Sequence, residues 1–102
     1  MKREEILKAA QTCVCGGREQ DYGTPERNFE NISVLWADYL QMAHPKNASA
    51  FACLDGKDVA MMMALLKIAR IATGNTTDSF VDLAGYAACA GEIATGTTDG
   101  NE

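Results

Sequence analysis

Two helical segments joined by a short polar linker constrain this chain most. Segment 58–70 is almost wholly apolar and carries Lys67 and Arg70 in its last turns. Segment 78–92 opens with Asp78 and has Asp82 one turn later. Because the linker, residues 73–77, is short and turn-like, two helices on either side of it must run antiparallel. The sequence therefore predicts a hairpin that brings two cations beside two carboxylates at one end of an apolar bundle.

The composition predicts a small domain that assembles with copies of itself. The chain has 102 residues, which corresponds to one domain. Apolar residues make up 47% of it, but many are Ala and Met and only 7% are aromatic. Small side chains let helices approach closely, yet each buries little area. We therefore expect a homo-oligomer, since association supplies the missing burial.

Charge and hydropathy narrow the range of partners. The formal net charge is −5 and there is no basic stripe, which argues against duplex nucleic acid and anionic membranes as partners. A small phosphate ligand is compatible with this net charge, because it needs only a local pair of cations. No targeting segment is visible, and the longest apolar run is too short to span a bilayer. We expect a cytoplasmic protein.

Helical periodicity and start signals predict four helices and no strands. The first helix covers residues 2–14, and the second covers 25–43 with Thr24 as its N-cap and Pro25 at the first helical position. Asp55 and Asp58 indicate the start of the third, and the fourth ends near residue 95. Residues 46–54 are predicted as a loop. The expected fold is an all-α four-helix bundle over residues 1–96, with the third helix in the middle and a frayed tail at 97–102.

The cysteines do not show a metal or disulfide pattern. Their spacing matches neither the common zinc pairs nor the common redox pairs. In a cytosolic chain, free thiols buried in the core are the expected state. The four residues concerned are Cys13, Cys15, Cys53 and Cys89.

One face of the fourth helix carries the candidate site. Asp78, Asp82, Gly85 and Cys89 follow one another at helical spacing and share this face. A glycine inside a helix costs roughly 1 kcal/mol relative to alanine, so Gly85 suggests the close approach of another backbone or a ligand. The simpler interpretation of the charges is a hairpin held together by ion pairs and helix dipoles.

The second helix adds two more carboxylates. Glu26 and Glu30 are one turn apart on one face. Together with Asp78 and Asp82 they could hold a divalent cation such as Mg²⁺ through oxygen ligands. Lys67 and Arg70 could then neutralise phosphate oxygens, with Arg70 binding in bidentate fashion. The alternative for Glu26 and Glu30 is a solvated first turn that the helix dipole favours.

Several short motifs are spread along most of the chain. They read DYGTPE at 21–26, FENI at 29–32, LW at 35–36, YL at 39–40, DVA at 58–60, LKIAR at 66–70 and DLAGYAA at 82–88. Taken together these motifs are specific, and over residues 14–93 the chain resembles a small phage-borne domain family of uncharacterised function. The resemblance implies a protein that acts in the host cytoplasm if a phage encodes it.

That family is in turn similar to the MazG-like all-α nucleoside triphosphate pyrophosphohydrolases. Those enzymes carry a Glu-Glu-x-x-Glu run on one helix and a Glu-x-x-Asp pair on a later one, and they bind Mg²⁺. This chain offers Glu26 and Glu30 for the first motif, and Asp78 with Asp82, one residue wider, for the second. The resemblance implies a magnesium site at these four carboxylates, with Glu30 and Asp82 as catalytic residues. This chain has fewer carboxylates than those enzymes, so it would neutralise the charge of a bound metal less well. Nucleotide binding would be less affected by this loss.

These features predict two functions of different classes, and a third, less specific function is also compatible with them. The first is Mg²⁺-assisted hydrolysis of a nucleoside triphosphate. The second is a non-catalytic sponge that sequesters a host immune signal, such as a cyclic nucleotide or a cyclic ADP-ribose derivative, against anti-phage defence. In it, rings from Tyr22, Trp36 or Tyr86 stack on a base while Lys67 and Arg70 hold phosphate. The third is an oligomeric scaffold without a ligand.

Overall fold

The chain is described by a computed structural model over residues 1–15, 24–74 and 77–96. All regular structure in these residues is helical, so the predicted all-α class is confirmed. The tail at 97–102 lies outside the described residues. The elements are α1 (Arg3–Cys15), α2 (Pro25–Ala43), a 3₁₀ turn (Pro45–Asn47), α3 (Ala48–Phe51), α4 (Gly56–Thr73) and α5 (Thr77–Thr95).

Local hydrogen bonds explain where the long helices begin. The Thr24 hydroxyl accepts from the backbone N–H of Arg27 at 3.2 Å, with Pro25 at the first helical position. At the start of α4, the Asp58 N–H donates to the Asp55 carboxylate at 3.0 Å and the Asp55 N–H donates to the Asp58 carboxylate at 3.2 Å. This reciprocal capping box satisfies backbone donors that a helix start leaves open. Both predicted start signals are therefore confirmed.

The predicted loop at residues 46–54 is wrong in part. The chain continues after α2 into the 3₁₀ turn and then into the single turn of α3. The Ala52 N–H donates to the carbonyl of Ala48 at 3.0 Å, and the ring of His44 lies 5.9 Å from that of Phe51. One helical turn is too short to show a periodic pattern, so the sequence carried no signal for it.

The α4–α5 hairpin organises the rest of the molecule. The two helices pack along each other, α2 packs mainly against α4, and α1 packs mainly against α5. The buried core lies between α2, α4 and α5. A closed four-helix bundle and a MazG-like arrangement of the helices remain predictions. The core residues are Phe29, Val59, Ala60, Cys89 and Ala90.

Gly85 marks the point where α1 reaches the hairpin. A Cβ atom on this buried glycine would lie 3.1 Å from Cγ1 of Val14. That distance is shorter than ordinary van der Waals contact, so a side chain here would require Val14 to shift by a few tenths of an ångström. A close neighbour is therefore present at this glycine, but it is a side chain of α1 and not the backbone or ligand that the sequence predicts.

The cysteines are all free, but only one is buried. Cys89 lies in the core, whereas Cys13, Cys15 and Cys53 are exposed. The expectation of four buried thiols is therefore wrong for three of them. The inward positions of α1 are taken by Ala10 and the partly buried Val14 instead. None of the helices in the described part of the chain is long and apolar enough to cross a membrane.

Candidate functional site

An ion pair between the two helices of the hairpin is the main electrostatic feature. The Lys67 ammonium nitrogen lies 3.1 Å from a carboxylate oxygen of Asp82. The Lys67 side chain is only 12% exposed, and that of Asp82 is 37% exposed. The cation is therefore largely withdrawn from water, while its partner stays open to solvent.

The helix register explains why these two residues meet. Lys67 follows the buried Ala60 and Ala64 on the inner face of α4, and Asp82 precedes the buried Gly85 and Cys89 on the inner face of α5. Antiparallel helices pair residues that lie at similar distances from the turn. A mostly apolar inner face thus contains one ammonium group, whose desolvation is tolerated because a carboxylate faces it.

The other two charges of the predicted cluster do not join this pair. Arg70 and Asp78 are both exposed. Neither makes an ion pair with any residue that the structure describes. Of the two cations and two carboxylates that the sequence predicts at this end of the hairpin, Lys67 and Asp82 form an ion pair, and Arg70 is exposed to solvent.

Glu30 occupies the opposite end of α4. Its carboxylate oxygen Oε2 accepts from the backbone N–H of Gly56, the first residue of the helix, at 3.2 Å. A Cβ atom on Gly56 would lie 3.3 Å from the same oxygen, so the fit is close. A carboxylate at this position satisfies an open donor and lies at the positive end of the helix dipole.

The structure does not bring the four predicted metal ligands together. Gly56, which contacts Glu30, and Lys67, which contacts Asp82, lie eleven residues apart in α4. That separation corresponds to about 16 Å of helix. Within residues 1–15, 24–74 and 77–96, no three His, Cys, Asp or Glu side chains lie close enough to hold a metal ion. The donor set therefore does not fit one Mg²⁺ ion in a single chain.

Glu26 lies in a different environment, near Cys89. The pKa of the Cys89 thiol is raised from 9.0 to about 11, mainly by burial and further by the negative charges of Glu92, Cys15 and Glu26. The end of α1, the first turn of α2 and the second half of α5 therefore meet around this thiol. Glu92 is not among the residues predicted from the sequence, although it follows Cys89 by one turn of α5 and so lies on a neighbouring part of the same face.

The candidate base-stacking rings are largely engaged in packing. Tyr86 is partly buried, and its ring centre lies 6.0 Å from that of Phe29 with the planes tilted by 48°. Trp36 is also partly buried and packs against the core. Tyr22 lies outside the described residues. Stacking of Tyr86 or Trp36 on a base stays a prediction, and it would use the part of each ring that the core leaves open.

Comparison with known sequences identifies the family of this chain. A family described as a domain of unknown function, DUF6378, matches residues 5–94. The chain belongs to the DUF6378 family. This match spans nearly the whole of the sequence, including every helix described above. No solved structure matches the chain.

Two curated relatives of this DUF6378 domain come from bacteriophages. The Gene 55 protein of Mycobacterium phage D29 is 41% identical over 91 residues, which cover 88% of this chain and 54% of the relative. The Gene 55 protein of Mycobacterium phage L5 is 43% identical over 83 residues, covering 80% of this chain and 47% of the relative. The chain thus spans about half the length of these relatives. The predicted phage-borne family is confirmed, whereas the MazG-like similarity remains a prediction.

Proposed function

We propose that this chain handles nucleotides, binding their phosphate groups near the turn end of the α4–α5 hairpin. The observation that carries the proposal is the withdrawn ammonium group of Lys67, held 3.1 Å from Asp82 with the exposed Arg70 on the next turn. A phosphate placed there could accept from Lys67 at its accessible edge and from the guanidinium of Arg70 in bidentate fashion.

Two cationic side chains lie close together near the turn end of the hairpin. Lys67 and Arg70 are three residues apart in α4, so they lie on neighbouring parts of one helix surface. Arg70 has no ion-pair partner among the described residues and therefore needs to break no contact to bind phosphate. The C-terminal end of α4 disfavours an anion, so the two side chains must supply the attraction.

Nucleoside triphosphate pyrophosphohydrolysis of the MazG-like type is the first candidate activity. Its support is the resemblance of the motifs that contain Glu26, Glu30 and Asp82. Because the described carboxylates do not fit one Mg²⁺ ion in a single chain, we assign no step to a metal. The residues to be tested as metal ligands are the four carboxylates predicted from the sequence, Glu26, Glu30, Asp78 and Asp82.

Sequestration of an intact nucleotide is the second candidate, and the dispersal of the carboxylates favours it. A sponge needs phosphate contacts and a surface for the base, but it does not need a metal centre. The ligand class would be a host signalling nucleotide, cyclic or derived from ADP-ribose. In this case Glu30 contributes only to the fold, through its hydrogen bond to Gly56.

Thermal melting with a nucleotide panel, with and without Mg²⁺, tests the proposal. The parent should be stabilised by its ligand, by about 2.7 kcal/mol at a 100-fold excess over the Kd. Arg70→Met should lose most of this increment, because methionine cannot rebuild a bidentate phosphate contact. Lys67→Met should lose less, since an ammonium acts as a point charge. Lys57→Met removes an exposed lysine at the other end of α4 and is the matched control.

Product analysis of the same mixtures separates the candidates. Mg²⁺-dependent release of pyrophosphate that disappears in Asp82→Asn would support hydrolysis. Recovery of an intact bound nucleotide would support sequestration. If no nucleotide raises the melting temperature of the parent, nucleotide handling is wrong and the scaffold interpretation takes its place. Equal shifts in the parent and Arg70→Met would move the ligand away from Arg70.

A further inference from the structure

The outward side of α4 is a continuous apolar surface that the other described helices leave uncovered. Its large side chains are between 40% and 61% exposed. We refer to this surface as the α4 outer face. It consists of Met61, Met62, Leu65, Leu66, Ile68 and Ala72.

We propose that the α4 outer face binds a second copy of this chain. Along its centre, Met61, Leu65, Ile68 and Ala72 are spaced by four, three and four residues. This is the a/d spacing of a heptad seam, in which apolar side chains interdigitate with those of a facing helix. The spacing thus fits a helix as the docking element, and α4 of another copy is a helix that carries the same seam.

The charge distribution favours a copy of the same chain as the partner. The charged residues in this part of α4, Lys67 and Arg70, lie off the seam, so the centre of the α4 outer face is uncharged. In a two-fold interface each residue faces a symmetry-related patch of the same composition, and a charged patch would repel itself. An uncharged apolar seam is complementary to itself without any such repulsion.

The amount of exposed surface agrees with one docking event. If each large side chain offers roughly 200 Å², the α4 outer face exposes on the order of 450 Å² of apolar surface, within the range in which an exposed patch often marks an interaction site. A standard interface covers about 800 Å² on each partner, so this face would supply the apolar centre of one interface and its surroundings the polar rim.

A second exposed apolar stripe on α2 provides the comparison surface. Leu35, Tyr39 and Met42 share the outer side of that helix. Asp38 lies between them and would face its own copy in a symmetric pairing. This stripe is therefore the weaker candidate for the interface. It contains Leu35, which is 67% exposed and so provides a control for Leu65, which is 61% exposed.

Sedimentation and light scattering of the full chain at ~10–100 µM test the docking surface without any nucleotide, so the result is independent of the proposed function. The parent should have about twice the 10.9 kDa mass of one chain, or a multiple of that dimer. Leu65→Glu should raise the dissociation constant of the α4 pairing at least 100-fold, while Leu35→Glu should leave it within a few-fold. Circular dichroism should show the same helix content in all three proteins.

Three results would overturn this assignment. A parent that sediments as a single chain at the highest concentration would show that the α4 outer face does not pair. A folded Leu65→Glu variant that keeps the parent mass would place the interface elsewhere. Dissociation by Leu35→Glu alone would assign it to α2. Met61→Glu, at the other end of the seam, repeats the test independently if Leu65→Glu loses its helix content.

Discussion

The two ends of α4 each hold a carboxylate from a different helix, and the two carboxylates do different things. At the first residue of α4, Glu30 accepts a backbone hydrogen bond from Gly56. Towards the other end, Asp82 faces the side-chain ammonium of Lys67. The first contact satisfies an open backbone donor at the start of α4, whereas the second neutralises a cation on the inner face of α4. Two residues that the sequence suggests as one catalytic pair are thus separated by most of a helix.

Carboxylates at suitable helical spacing therefore need not meet at one site. Glu30 is placed by the crossing of α2 over the start of α4, and Asp82 by the register of the α4–α5 hairpin. Each is explained by its own local partner. A metal site that uses both would need a different arrangement of helices from the one in a single chain.

The largest effect should come from breaking the ion pair. In Asp82→Asn, the ammonium of Lys67, only 12% exposed, loses its charged partner. We expect the free energy of unfolding to fall by about 2 kcal/mol, less than for a fully buried pair because Asp82 is open to solvent. Chemical denaturation measures this. Asp78→Asn, an exposed carboxylate one turn earlier, should change stability by less than about 0.5 kcal/mol. Equal effects of the two changes would contradict a stabilising role for the pair.

Removing the carboxylate at the other end should have an intermediate effect. Glu30→Ala takes away the acceptor for the Gly56 N–H and should cost about 1 kcal/mol of unfolding free energy, as for the loss of a helix cap. Glu30→Gln keeps an acceptor oxygen and loses only the favourable charge at the helix dipole, so it should cost roughly half as much. If both variants are as stable as the parent, the hydrogen bond to Gly56 contributes nothing and Glu30 is free for another role.

The remaining effect is absent at neutral pH and concerns the Cys89 thiol, which lies in the core between these two ends. Its pKa is about 11 in the folded chain and 9.0 ordinarily, so between these values the unfolded chain loses the proton first. The unfolded state then binds fewer protons, and stability falls as pH rises through this window, by at most about 2.7 kcal/mol. Cys89→Ala should show a shallower loss from pH 9 to 11 than the parent. Parallel pH profiles of the two proteins would contradict the raised pKa.

Much of the secondary structure could be predicted because its causes are local. Thr24 with Pro25 marks the start of α2, and Asp55 with Asp58 marks the start of α4, through hydrogen bonds between residues three apart. The single turn of α3 could not be predicted, because it is shorter than one apolar repeat. The ion pair of Lys67 with Asp82 was one of several pairings open to the hairpin, and only the helix register selects it.

The four long helices, the caps of α2 and α4, the hairpin and a close neighbour at Gly85 could be predicted from the sequence alone, since they depend on neighbours in the chain or on a missing side chain. The packing of the helices sets which carboxylate meets which partner and which half of α4 stays outside. An apolar pattern around most of a helix shows that burial is favourable, but not which surface provides it. In the single chain, α2 and α5 cover the inner half of α4, and the half that contains Leu65 is left exposed.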